Sequence, residues 1–283
     1  MKKLKKTMIL LLSTMLFLMT SASVFAVDNN VTELSDDIYL QKTEKMFNKV
    51  SLEELNNSSY KNQFTNMIKN LSNEQFDKFI SDLVNTENDI SDFREKLNMV
   101  GVEITDINRE GFIETRGVTS NNANLSAYIA KRGSDKFYRI YSYNSLKTKE
   151  TFPGSEDVIE IHFDPSIATF YSYNVVGEYV NLKYQNQSGN GTLVFNYVDK
   201  EADTSTQTCA VYVIPKAGTS GQSLKCSVGW THTFTKLNVS GGGEAKVSFG
   251  GKDSTTGSIG VNIQISGNES SWHRSDINSM KIA

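Results

Sequence analysis

Ile159-Glu160-Ile161-His162-Phe163-Asp164 alternates apolar and polar side chains without a break. Successive side chains of an extended chain point to opposite faces, so this stretch predicts a strand. Ile159, Ile161 and Phe163 take one face, and Glu160, His162 and Asp164 the other. Asp164-Pro165-Ser166 then supplies a turn. Comparable runs recur at Val102 and Ile104, at 137–143, 169–173, 179–184, 192–198 and 208–214, and in several stretches beyond Leu224. Turn residues punctuate them at 131–134, 152–155, 187–191 and 217–221. No helical pattern intervenes, so residues 117–283 are expected to form an antiparallel β-sandwich.

Upstream the texture differs. All 19 glycines and all 3 prolines follow residue 100. Ser72 and Gln75 have the spacing of a capping box, in which each residue satisfies the other's free backbone N–H at a helix start. Phe76, Phe79, Ile80, Leu83 and Val84 then recur at helical offsets, as one apolar stripe. Ser51 and Glu54 repeat the capping signal, Phe64, Met67, Ile68 and Leu71 repeat the stripe, and a shorter helix is expected over 92–98. Residues 27–116 are therefore read as a small helical region, a candidate pro-region, and the fold as α+β: helices first, then the β-sandwich.

The first 26 residues have another purpose. Lys2, Lys3, Lys5 and Lys6 precede an apolar run from Met8 to Met19, and Val24 and Ala26 place small residues at a processing site. The run is shorter than the ~20 residues that span a bilayer. The expectation is a signal peptide cleaved after Ala26, and a secreted product of Gram-positive type. Losing four lysines lowers the basic residues from 29 to 25 against 32 acidic ones, a mature net charge of −7. Nucleic acid, whose phosphates are met by clustered Lys and Arg, is disfavoured as a partner.

The chain has 2 cysteines, Cys209 and Cys226. Outside the cell an isolated pair is expected to bridge, here across the turn at 217–221, which would contribute about 3 kcal/mol. Two free thiols are the alternative.

Three constellations are candidates for function. Glu160, His162 and Asp164 place two carboxylates and an imidazole on one strand face, a set for a divalent ion or for acid–base work. The plainer reading is the polar side of a half-buried strand. Tyr141 with Tyr143, and Tyr171 with Tyr173, lie two apart on strands and can form an aromatic platform for sugar rings, or simply fill a sandwich. Near the end, Val247, Phe249, Ile259, Val261, Ile263 and Ile265 alternate with small polar residues in a hairpin over 244–266. That is the pattern of a membrane-inserting β-hairpin and equally of one that covers a soluble core.

Metalloprotease, phosphate-loop, dinucleotide, Ca²⁺-loop and nucleophile-elbow motifs are absent, so the sequence assigns no catalytic residue, metal or cofactor. The expected function is non-catalytic: binding of an extracellular glycan, protein or membrane surface. A bacteriocin-like or pore-forming toxin acting through the hairpin, and a secreted hydrolase centred on His162, are the rivals.

Overall fold

Helix α4 (Asn73–Thr86) begins where the capping signal places it. Gln75 N–H donates to Ser72 Oγ at 3.1 Å and Ser72 N–H to Gln75 Oε1 at 2.8 Å. Phe76, Phe79, Ile80, Leu83 and Val84 are all buried, each burial stabilising by about 1.5–3 kcal/mol. The same reciprocal cap at Ser51 and Glu54 starts the short α2 (Leu52–Leu55). With α1 (Asp36–Lys49), α3 (Ser58–Lys69) and α5 (Ile90–Met99) these form the helical part. Phe47 meets Phe64 and Phe79 edge to face at 5.9 and 5.4 Å, which ties three helices to one aromatic centre.

The computed structural model describes residues 36–86, 90–107, 112–114, 123–133, 135–149, 153–154, 157–184, 188–235, 244–252, 259–266 and 269–283, with backbone alone for 36, 90, 112–114, 188, 235, 244–252, 259–266 and 269. Leu40–Ala283 make one compact unit; of the other, Met1–Tyr39, only the opening of α1 is described. The expected signal peptide, 1–26, lies outside the described residues.

Strands follow the helices. They are β1 (Val102–Ile104), β2 (Phe112–Glu114), β3 (Ala123–Arg132), β4 (Tyr138–Leu146), β5 (Asp157–Phe163), β6 (Ala168–Val176), β7 (Val180–Tyr184) and β8 (Thr192–Tyr197). After a one-turn helix α6 (Asp199–Ala202) come β9 (Gln207–Pro215), β10 (Ser223–Thr235), β11 (Glu244–Lys252), β12 (Ile259–Ser266) and β13 (Glu269–Lys281). One sheet has the order β1-β3-β4-β9-β6, the other β2-β13-β10-β5-β8-β7, and β11 pairs with β12 in a two-stranded ladder. The described pairings are antiparallel throughout. The fold is thus α+β, helices followed by an antiparallel sandwich, as the alternation predicts.

The core lies between the two large sheets. Ile159, Ile161 and Phe163 enter it from β5, Leu193 and Phe195 from β8, Val228 and Trp230 from β10, and Ile140, Val211 and Val213 from the facing sheet. The other side of the first sheet is covered by α4. Tyr141 donates to Asp77 Oδ1 at 2.6 Å, Asn174 to Asp77 Oδ2 at 2.8 Å, and Tyr212 also donates to Oδ2. Arg139 Nε pairs with Asp77 Oδ1 at 3.1 Å, with both side chains fully buried. Arg139 also pairs with Asp135 and donates to Asn73 Oδ1 at 2.8 Å. Arg132 caps the end of α3 through the Leu71 carbonyl at 2.7 Å.

The bridge expected between Cys209 and Cys226 is corrected. Both thiols are free and buried. Cys209 sits on β9 in the first sheet and Cys226 on β10 in the second, so the turn at 217–221 joins two sheets rather than two paired neighbours. Burial pushes the Cys226 thiol up to about 12, and Cys209 up as well, so neither is a reactive thiolate.

Candidate functional site

The three expected constellations fare differently. On β5, Glu160 and His162 do share a face opposite Ile159 and Ile161, but they are buried rather than open to solvent. His162 Nε2 lies 3.0 Å from Glu160 Oε2, and its Nδ1 3.1 Å from Thr192 Oγ1. Asp164 departs from them. The strand ends at Phe163, and the Asp164 carboxylate accepts from Ser166 N–H at 2.8 Å and Ser166 Oγ–H at 2.6 Å. Those bonds favour the carboxylate and hold its pKa below the usual carboxylate range. What joins Glu160 instead is His273 of β13, brought across Gly229 of β10. A β-carbon on Gly229 would stand 2.8 Å from His273 Cε1 and 3.5 Å from the Glu160 carboxyl carbon.

The four tyrosines do not form one platform. Tyr141 and Tyr143 are buried beneath α4, where their hydroxyls bond Asp77 and Asn85. The pairing of β6 with β9 shifts between Phe170 and Ser172, and this bulge sends Tyr171 and Tyr173 to opposite faces. Tyr173 turns to core Phe195, edge on at 6.1 Å. Tyr171 stacks on Phe137 at 5.4 Å, and Phe137 stacks on Tyr212 at 4.8 Å, both near parallel. Arg139 backs the ladder, its guanidinium 4.6 Å from the Phe137 ring centroid and 5.2 Å from that of Tyr212. Tyr171 remains 56% exposed and Ile214 lies open on neighbouring β9. A three-ring ladder therefore exists, with Tyr171 as its outer step.

The hairpin is present as backbone. β11 and β12 pair Val247 with Ile263 and Phe249 with Val261, with an irregularity between Phe249 and Lys252. Ile259 pairs with Lys252, and Ile265 with Ala245. The side chains of all six hairpin residues, and the turn at 253–258, lie outside what is described.

One cluster carries no local signal. Asp157 opens β5, Asp199 opens α6, and His232 lies on β10 facing the core. Their ligand atoms lie within 4.8 Å of one another, and all three residues are buried. Asp157 and Asp199 are 42 positions apart, and His232 lies 75 positions from the first and 33 from the second, so no single sequence window covers the three. Alternation along β10 places Trp230 and His232 on the core face, the one hint a sequence window holds.

No protein family and no curated protein matches the chain. Three solved structures show partial likeness. The sixth cohesin of scaffoldin B from Acetivibrio cellulolyticus, solved in complex with a Cel5 dockerin mutant, shares 15% identity over 34% of this chain and 75% of its own, with a TM-score of 0.25. A structure concerning adhesion by Fap1 fimbriae of Streptococcus parasanguinis shares 10% over 54% and 82%, at 0.25. AvmM, which catalyses macrocyclization in alchivemycin A biosynthesis, shares 11% over 51% and 79%, at 0.23. Superpositions this loose transfer neither fold nor function to this chain.

Proposed function

We propose that the chain is an exported, non-catalytic binding protein whose contact surface is the Tyr171–Phe137–Tyr212 ladder. The open face of Tyr171 carries this reading. An exposed ring held by stacking is already ordered before it meets a target, so little side-chain entropy is lost on binding. Its flat apolar face suits the C–H face of a pyranose, and envelope glycan is accordingly the favoured target class. The signal-like first 26 residues support a site of action outside the cell.

The test is a glycan array and pull-down on cell-wall polysaccharide with the exported chain and with Tyr171→Ala. Binding that Tyr171→Ala weakens about tenfold supports the reading, in line with the loss of one stacking contact worth about 1–1.5 kcal/mol. Binding that ignores the substitution, or none to any glycan, counts against it.

A membrane-directed second reading rests on the β11–β12 ladder, which pairs apart from both large sheets. Its strands of 9 and 8 residues approach the ~9–11 of a membrane strand. Dye release from anionic and zwitterionic liposomes distinguishes it: silence at micromolar protein removes the toxin.

A further inference from the structure

We propose that Asp157, Asp199 and His232, together with the Tyr197 hydroxyl, bind a divalent transition-metal ion of the zinc class between the ends of β5, β8 and β10. The two carboxylates are arranged alike. Asp157 Oδ1 accepts from Thr233 N–H at 2.8 Å, and Asp199 Oδ1 from Lys200 N–H at 2.7 Å. Each backbone donor fixes one oxygen and turns the other inward, as outer partners do around metal ligands. Both inner oxygens converge on one atom: His232 Nδ1 lies 2.7 Å from Asp157 Oδ2 and 3.4 Å from Asp199 Oδ2. Around an ion with bonds of about 2.0–2.2 Å, neighbouring ligand atoms stand about 3–3.4 Å apart, so small shifts admit one.

Tyr197 supplies an independent indication. Cross-strand pairing sets it directly opposite Asp157, its hydroxyl is buried, and that oxygen has no hydrogen-bond partner. Buried tyrosine hydroxyls ordinarily find one. An imidazole nitrogen in the set favours zinc-like ions over Mg²⁺ or Ca²⁺, and closure by protein ligands favours a structural role.

The chain reports on this site by itself. It has 2 tryptophans. Trp230 Nε1 donates to Asp157 Oδ2 at 3.3 Å, and the Trp272 ring lies 4.8 Å from that of His232. The exported chain, stripped with a chelator, is titrated with Zn²⁺ and with Co²⁺ while tryptophan emission and the thermal unfolding midpoint are followed. Emission should change and saturate at one equivalent, Co²⁺ should quench, and the midpoint should rise. Asp199→Asn should weaken binding at least about tenfold. Tyr197→Phe, which removes one oxygen and leaves the ring packed on Trp230, should weaken it severalfold with an unchanged far-ultraviolet spectrum. His162→Ala with His273→Ala should leave it intact. No response to millimolar Zn²⁺, affinity indifferent to Tyr197→Phe, or binding lost with His162 and His273 would each overturn the proposal. Should Asp199→Asn fail to fold, the Tyr197→Phe titration decides alone.

Discussion

Asp77 lies on the buried face of α4, with hydrogen bonds from Tyr141, Tyr212 and Asn174 and an ion pair with Arg139 around its two oxygens, whereas Asp157 and Asp199 each aim one oxygen at a single imidazole. Both clusters are buried in the same chain. In the first, an anion meets a cation and three further donors, so its polarity is spent inside the protein and the cluster acts as a clamp between helix and sheet. In the second, acceptors gather on one point. Burial alone therefore says little about role; the balance of donors against acceptors separates a fastening from a receptacle.

The comparison can be broken most forcefully at Arg139. Arg139→Met leaves Asp77 buried without its cation and should cost about 3–5 kcal/mol in urea unfolding followed by circular dichroism. Combining it with Asp77→Leu should restore much of that loss, because no charge is then left unpaired. A single substitution that costs under about 1 kcal/mol would show that the clamp does not organise the helix–sheet contact. The same measurement on Asp199→Asn in metal-free protein should move stability by no more than about 1 kcal/mol, since relieving like-charge crowding offsets the lost bonds.

A pH dependence sharpens the helical side of the comparison. Burial and the neighbouring Asp82 charge raise the Glu44 carboxyl from 4.5 to about 7. Its folded value lies above its unfolded one, so its stabilising effect is full below about pH 4.5 and lost as pH rises through about 7. Glu44 is only half-buried, and screening reduces the effect to about 1 kcal/mol. Unfolding free energy should fall between pH 5 and pH 8, and Glu44→Gln should flatten that difference. Two smaller outcomes complete the series. Tyr171→Ala should alter stability by less than about 0.5 kcal/mol while weakening glycan binding about tenfold. A reductant should leave the unfolding midpoint where it is, whereas a bridge between Cys209 and Cys226 would cost about 3 kcal/mol on reduction.

Legibility followed the range of each interaction. The caps at Ser51 and Ser72 and the stripe from Phe76 to Val84 involve residues three or four apart, and they appear in the structure where local pattern places them. β3 was not legible: its side chains are buried on both faces, many of them alanine or serine, so alternation is lost. β13 hides for a related reason, because Ser, Asn and Asp dominate its 13 residues. At the candidate sites, Glu160 and His162 shared a face as expected, yet His273 joined them only through sheet pairing. Tyr171 and Tyr173 were separated by one bulge that leaves no mark on the tyrosine spacing.

What the residues alone fix is that a helical region precedes a strand-rich one, together with the caps and apolar stripes of α2 to α4, because backbone geometry repeats every two or 3.6 residues and side chains must follow it. The sequence also carried the export signal as an expectation. Only the tertiary structure decided that Cys209 and Cys226 belong to different sheets, that Phe137 and Tyr212 build a ladder under Tyr171, and that His232 reaches back 75 residues to Asp157. Those contacts are set by which strands pair and which faces meet, and no period along the chain records that choice.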